Sequence, residues 1–166
     1  MPRVAFLTMA LLKAPRVDPA VAGFMNRIEK NFAHAESCPG FIDRSRINPE
    51  TGLYNWGPRA TPRTFPDQNP GDRLIHTLSV WRDLESVVAY AYSDPHAEAV
   101  AGRREWCIAP TWPSYVAWWI DEGCYPTWPE SNERFDSLHT NGPTERAFNF
   151  RKAFGADGQP HTIAHR

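Results

Sequence analysis

The chain has 166 residues, with 18 Lys and Arg against 19 Asp and Glu and a formal net charge of −1 with histidine neutral. That length suits one domain with its own core, and charges of both signs are interspersed, so no basic footprint for DNA or RNA exists. Seven Trp, nine Phe and five Tyr suit an aromatic core or a wrapped apolar ligand equally.

Val4 to Leu12 is apolar and reads as a first strand. Asp18-Pro19 then starts a helix, Asp as cap and Pro in the first helical position. Val21, Met25, Ile28 and Phe32 recur at helical spacing and carry that helix to about Glu36. Cys38-Pro39-Gly40 stops it. Phe41 to Ile47 reads as a short strand with Arg44 and Arg46 on one face, since side chains two apart point the same way.

From Asn48 to Asp72 the composition turns to Pro, Gly, Asn and Thr, and five prolines forbid a regular ladder. This is a long loop, expected to be a lid or an insertion, in which Tyr54, Trp56 and Phe65 argue for packing against something. Leu74 to Trp81 alternates as a strand, with Leu74, His76, Leu78 and Val80 on one face. Asp83 caps the next helix, whose inward stripe is Leu84, Val87, Val88 and Ala91. Asp94-Pro95 ends it and starts another by the same cap-plus-Pro logic.

Tyr115 to Ile120 is apolar on both faces, a strand whose outer face something must cover. Thr127-Trp128-Pro129-Glu130 matches a capping box, with hydroxyl and carboxylate each satisfying the other's backbone donor. The helix it opens runs to about His139 and closes at Asn141-Gly142-Pro143. Ala147 to Phe154 fits a last edge strand, and Gly155 to Arg166, without apolar periodicity, reads as a tail.

The order β-α-β, loop, β-α-α-β, helix and strand predicts an α+β chain, a ferredoxin-like βαββαβ sandwich with an antiparallel sheet. Residues 1–154 form the single domain and 155–166 the tail. Helices cover one face of such a sheet; a second copy burying the other gives a dimeric α/β barrel, hence an expected homodimer. No run approaches the roughly 18 apolar residues of a membrane span, so no membrane partner is expected. Cys38, Cys107 and Cys124 show no CxxC spacing, which indicates neither disulfides nor zinc and fits a reducing cytoplasm.

Leu78-Ser79-Val80-Trp81, Tyr92-Ser93 with His96, Arg103-Arg104-x-Trp106, Trp118-Trp119, Pro126-Thr127, Gly142-Pro143-Thr144 and Ala147-Phe148-x-Phe150-Arg151 fall in one order. In these the chain resembles the domain-of-unknown-function family 3291 over about Val4 to Phe154. That family is similar to the dimeric α/β barrel superfamily, with its antibiotic-biosynthesis monooxygenases, haem-degrading enzymes, cyclases and isomerases. The chain departs from the family in its Pro-rich loop, in Cys107 and in its tail.

The resemblance implies a small-molecule enzyme of secondary or aromatic metabolism, a cofactor-independent monooxygenase or a cyclase or isomerase, acting on an acidic or aromatic compound. His96, in the first turn of its helix, is the candidate general base, because the N-terminal dipole disfavours the imidazolium. Arg103, seven residues on and so on nearly the same helix face, is the candidate anion clamp. His76, Tyr92, Trp106 and Trp118 are the candidate substrate-binding residues. Each has a plainer reading: a helix-start histidine, a paired arginine, a satisfied core histidine, a wet helix-end tyrosine, or core tryptophans. No nucleotide or metal motif is present and no cofactor is expected. Haem, needing one axial ligand from His76 or His96, and a non-catalytic binding protein are the alternatives.

Overall fold

The computed structural model describes residues 1–93 and 102–163. β1 (Arg3–Leu11), β2 (Phe41–Arg44), β3 (Leu74–Trp81) and β4 (Tyr115–Ile120) form one antiparallel sheet in the order β2-β3-β1-β4. With helices following β1 and β3, this is the ferredoxin-like α+β sandwich. Strand-forming β-branched and aromatic residues fill β3 and β4, whose bounds match those read from alternation for β3 and from two apolar faces for β4. β1 is the spine, paired with β3 along its length and with β4 from Arg3 to Thr8.

The first helix is not continuous. A 3₁₀ turn over Pro19–Val21 leads into α1 (Ala22–Met25), and α2 (Ile28–Ser37) follows after a break. Arg27 supplies the reason: its guanidinium takes the Gly23 carbonyl at 2.6 Å, while its backbone N–H falls back on Phe24. The Asp18 cap is as expected, accepting the Ala20 N–H. α2 ends at Cys38, and Gly40, at φ +86°, turns the chain into β2 so close to Ser86 that a Cβ there would stand 2.1 Å from its hydroxyl. β2 stops at Arg44, short of Ile47, which makes only an isolated bridge to Tyr54. Arg44 and Arg46 both reach Glu36 on α2.

One sheet face carries Val4, Phe6, Trp81 and Ala117, packed with Ala35 of α2 and with Leu84, Val87 and Val88 of α3 (Leu84–Ala91). Asp83 caps α3 through the Ser86 N–H at 2.8 Å. Burial pushes the Asp83 carboxyl up, but bonds from Ser86 and Arg82 outweigh it and hold the carboxyl below its ordinary range. A carboxyl lowered on folding contributes stability that is full above its unfolded value of ~3.9 and is lost as pH falls through the folded one. Stability of the Asp83→Ala variant, followed by circular dichroism, should therefore fall less steeply below about pH 4 than that of the natural protein. Equal slopes would show that the cap is not ionically linked to folding.

The opposite face carries Ala5, Leu7, Met9 and Leu11 of β1, Leu78 and Val80 of β3, and Val116 and Trp118 of β4, all buried. The chain itself covers them. Trp56 and Phe65 of the 48–72 loop and Trp128, Phe135 and Leu138 of α4 (Trp128–Asn141) form that cover. Loop and helix of the same chain pack on the face for which the sequence reading looked to a second copy of the sheet. The loop is thus a packed layer with Tyr54 partly exposed at its rim. It is held down by Asp136, a buried carboxylate on α4 that accepts from the backbone N–H groups of Arg63 and Thr64, the Thr64 hydroxyl and the Arg63 guanidinium.

Only half of the capping box at α4 is made. The Thr127 hydroxyl accepts the Glu130 N–H, but the Glu130 carboxylate turns along the helix to Arg134 at 2.9 Å. Gly142, at φ +74°, closes α4. Phe148 then makes a single bridge to Ala117 on the outer edge of β4, in place of a regular last strand. Nor is the C-terminal segment a loose tail through residue 163: β5 (Ala153–Phe154) pairs with β6 (Pro160–His161), and Ile163 is buried in the helix-side core. The spacing of these few apolar residues is set by a tight turn, which leaves no periodicity to read. Among the described residues no helix is long and apolar enough to cross a membrane.

Candidate functional site

The structure distributes the sequence-predicted site residues over separate places. Asp94, Pro95 and His96 lie outside the described residues. Arg103, in a helical segment over 102–106, donates to the Met9 carbonyl at 2.7 Å, where β1 has outrun β4. Trp106 is buried in a small cluster with Leu12, Val21 and Cys107, between Gly23 and Gly102, where a Cβ would come within 2.7 and 2.6 Å of its indole. Tyr92, at the end of α3, is 60% exposed and its ring lies 6.5 Å from Phe150. Trp118 and not Trp119 points to the loop-covered face, fully buried, its indole N–H finding no acceptor among the described residues. The Trp119 indole bonds the Phe154 carbonyl on the other side.

His76 is the exception, because it sits at a cavity. It lies opposite Met9 on the loop-covered face, at the end of the sheet away from Trp118, which pairs with Ala5. The cavity has a volume of about 450 Å³ and is walled by Tyr54, Arg59, Thr61, Gln68 and Pro70 of the loop, with Arg16, Leu74 and His76. Local structure places each group. Strand alternation turns His76 to this face. An Asx turn, in which the Asn48 side chain accepts from Glu50 and Thr51, folds the loop back so that Tyr54 bridges Ile47. The Gln68 amide then ties the next turn by donating to the carbonyls of Pro62 and Phe65.

Arg59 is the centre of the arrangement. Its guanidinium lies over the rings of Tyr54 and Trp128, 4.4 and 4.9 Å from their centroids. It donates to His76 Nε2 at 2.5 Å, to the His76 carbonyl at 3.3 Å and to the Tyr54 hydroxyl. No carboxylate pairs with it among the described residues. Burial draws the Arg59 guanidinium down from its ordinary value, an effect Tyr54 opposes and the nearby charge of Arg16 reinforces. A guanidinium stays protonated throughout the working range, so the site holds a desolvated positive charge supported only by neutral groups.

The same contact fixes the state of His76. Arg59 can only donate, so Nε2 must accept, and an imidazolium has no lone pair with which to do so. His76 is therefore neutral with its proton on Nδ1, which is buried and without a partner among the described residues. Its ring packs 4.8 Å from that of Trp128, whose indole N–H donates to Ser45 at 2.9 Å. Tyr54, Arg59 and Arg16 were missed in the sequence because they lie in irregular segments, where no periodicity says which way a side chain faces. The available signal was an Arg among aromatics in an otherwise Pro-rich stretch.

Among the described residues no group of His, Cys, Asp and Glu is placed to hold a metal. As the side chains stand, Nε2 of His76 accepts from Arg59 and Nδ1 is enclosed.

This sheet order with a helix-and-loop cover defines a ferredoxin-like protein with an arginine-lined cavity. The chain belongs to the family described as a domain of unknown function, DUF3291, which matches residues 3–164. Among curated proteins none matches the chain. It is similar to a solved protein of unknown function from Nitrosomonas europaea, at 12% identity and a TM-score of 0.49, over 76% of this chain and 97% of that one. It is similar also to SnoaB, a cofactor-independent oxygenase from Streptomyces nogalater, at 10% identity and 0.43, over 75% and 96%. A third is a dimeric ferredoxin-like protein of unknown function from Jannaschia sp. CCS1, at 17% and 0.40, over 72% and 98%.

Proposed function

We propose that this protein is a small-molecule enzyme acting on an acidic compound in the Arg59–His76 cavity, with Arg59 as anion clamp and His76 as general base. The carrying observation is the guanidinium bonded only to neutral acceptors, one of them the ring nitrogen of a histidine. A carboxylate, enolate or phenolate makes stronger, charge-assisted bonds to Arg59 than imidazole or phenol can. When Arg59 turns to such an anion, the Nε2 lone pair is released beside it. His76 then takes a proton from an acidic C–H or O–H, and the electron pair left behind stays on the substrate as an anion held by Arg59. Cofactor-independent oxygenation and cyclisation or isomerisation both begin with that step. The proposal thus keeps the histidine base and arginine clamp expected from the sequence and assigns them to different residues. A pocket that only sequesters its ligand would show the same binding and no proton transfer.

Exchange of the acidic C–H of phenylpyruvate with deuterium, followed by NMR, tests this. The natural protein is expected to accelerate exchange, and His76→Ala to lose about 100-fold or more of that acceleration. An unchanged rate in His76→Ala overturns the assignment. If His96→Ala is instead the inactive variant, the base is His96, with Arg103 as its partner.

The cytoplasm is proposed as compartment on the strength of three free cysteines. The homodimer is a proposal also; with both sheet faces covered within the chain, it engages a sheet edge or rim, and sedimentation velocity reads its mass directly.

A further inference from the structure

The cavity wall carries a second positive charge. The Arg16 side chain donates from Nε to the Asp72 carbonyl at 2.6 Å and from one Nη to the Leu74 carbonyl at 3.0 Å. Both acceptors are neutral. The Asp72 carboxylate accepts the backbone N–H of Arg16 and makes no ion pair with its guanidinium. Two of its five donors are thereby engaged, and the rest find no acceptor among the described residues. Arg59 and Arg16 are close enough for their charges to act on each other, and among the described residues no Asp or Glu lines the cavity. Thr61, Gln68 and Asn69 complete the wall with uncharged hydrogen-bonding groups.

Two like charges at one cavity, each hydrogen-bonded to carbonyls, phenol or imidazole and to no carboxylate among the described residues, repel each other. From this we infer that the ligand is a small dianion, with one charged end on Arg59 and the other on Arg16. Bound this way, it relieves the repulsion between the guanidinium groups and gains charge-assisted bonds at both ends, whereas a monoanion gains them at one. Dicarboxylates and phosphate monoesters share this chemistry. The inference rests on the Arg59 clamp proposed above and adds the number of charges it accepts.

Calorimetric titration at pH 8 and low salt with benzoate, phthalate and phenyl phosphate tests it. Phthalate or phenyl phosphate should bind about tenfold or more tightly than benzoate, and whichever is tighter identifies the anionic group. Arg16→Gln should abolish the preference, weakening phthalate and phenyl phosphate about tenfold more than benzoate, and Arg16→Lys should keep the preference by keeping the charge. Because Arg16 ties two backbone carbonyls, retention of benzoate binding in Arg16→Gln also reports an intact cavity; if it is lost, Arg16→Lys alone decides. Equal affinity for mono- and dianions in the natural protein overturns the inference and leaves the Arg59 clamp standing. Failure of all three to bind overturns both.

Discussion

Trp128→Ala is expected to destabilise the protein by about 3–5 kcal/mol, the range for emptying a large aromatic site in a packed core. Trp128 is 1% exposed and stands where α4 meets the loop-covered face. Its ring supports Arg59 and His76, and its indole N–H holds Ser45, whose hydroxyl in turn bonds Asn55. Trp128→Phe keeps most of the volume and loses the N–H, so its cost should be near 1 kcal/mol. Urea unfolding followed by far-ultraviolet circular dichroism measures both. A Trp128→Ala cost below about 1 kcal/mol would mean that α4 is not part of the core, because exposed substitutions fall in that range.

Asp136→Ala is expected to cost about 2–3 kcal/mol, because it strands the N–H groups of Arg63 and Thr64 on a segment folded against α4. Asp136→Asn retains an acceptor and should cost less. Arg63 itself is 86% exposed at its side chain, so its ion pair with Asp136 contributes little and Arg63→Ala should be almost neutral. The loop reports the loss directly. Trypsin should cleave after Arg63 faster in Asp136→Ala than in the natural protein, since the segment lifts before the domain unfolds. Unchanged cleavage together with unchanged stability would show that the carboxylate does not anchor the loop. Both variants also bear on the cavity, whose Arg59, Thr61 and Gln68 are carried by the segment that Asp136 and Trp128 hold in place.

The strands show how far local pattern reaches. β3 and β4 were legible residue for residue, because alternation over Leu74–Trp81 and double-sided burial over Tyr115–Ile120 are properties of the strands themselves. The Asp18, Asp83 and Thr127 caps were legible for the same reason, a side chain bonding an N–H two or three residues away. The break at Arg27 was not, since it depends on a guanidinium reaching back to Gly23. His76 was singled out as a polar group on an apolar stripe, and in the structure it stands beside a cavity with Arg59 bonded to its ring.

The sequence by itself determined the bounds of β3 and β4, the caps at Asp18, Asp83 and Thr127, and the presence of a histidine on a buried strand face, all of which follow from patterns and contacts within a few residues. Only the tertiary structure decided what covers that face and what stands beside the histidine. The cover is a proline-rich loop without period, clamped by a carboxylate 72 and 73 residues away in the chain. Arg59 and Arg16 reach one cavity from segments that share no repeat, so only their long-range hydrogen bonds, made on folding, bring them together.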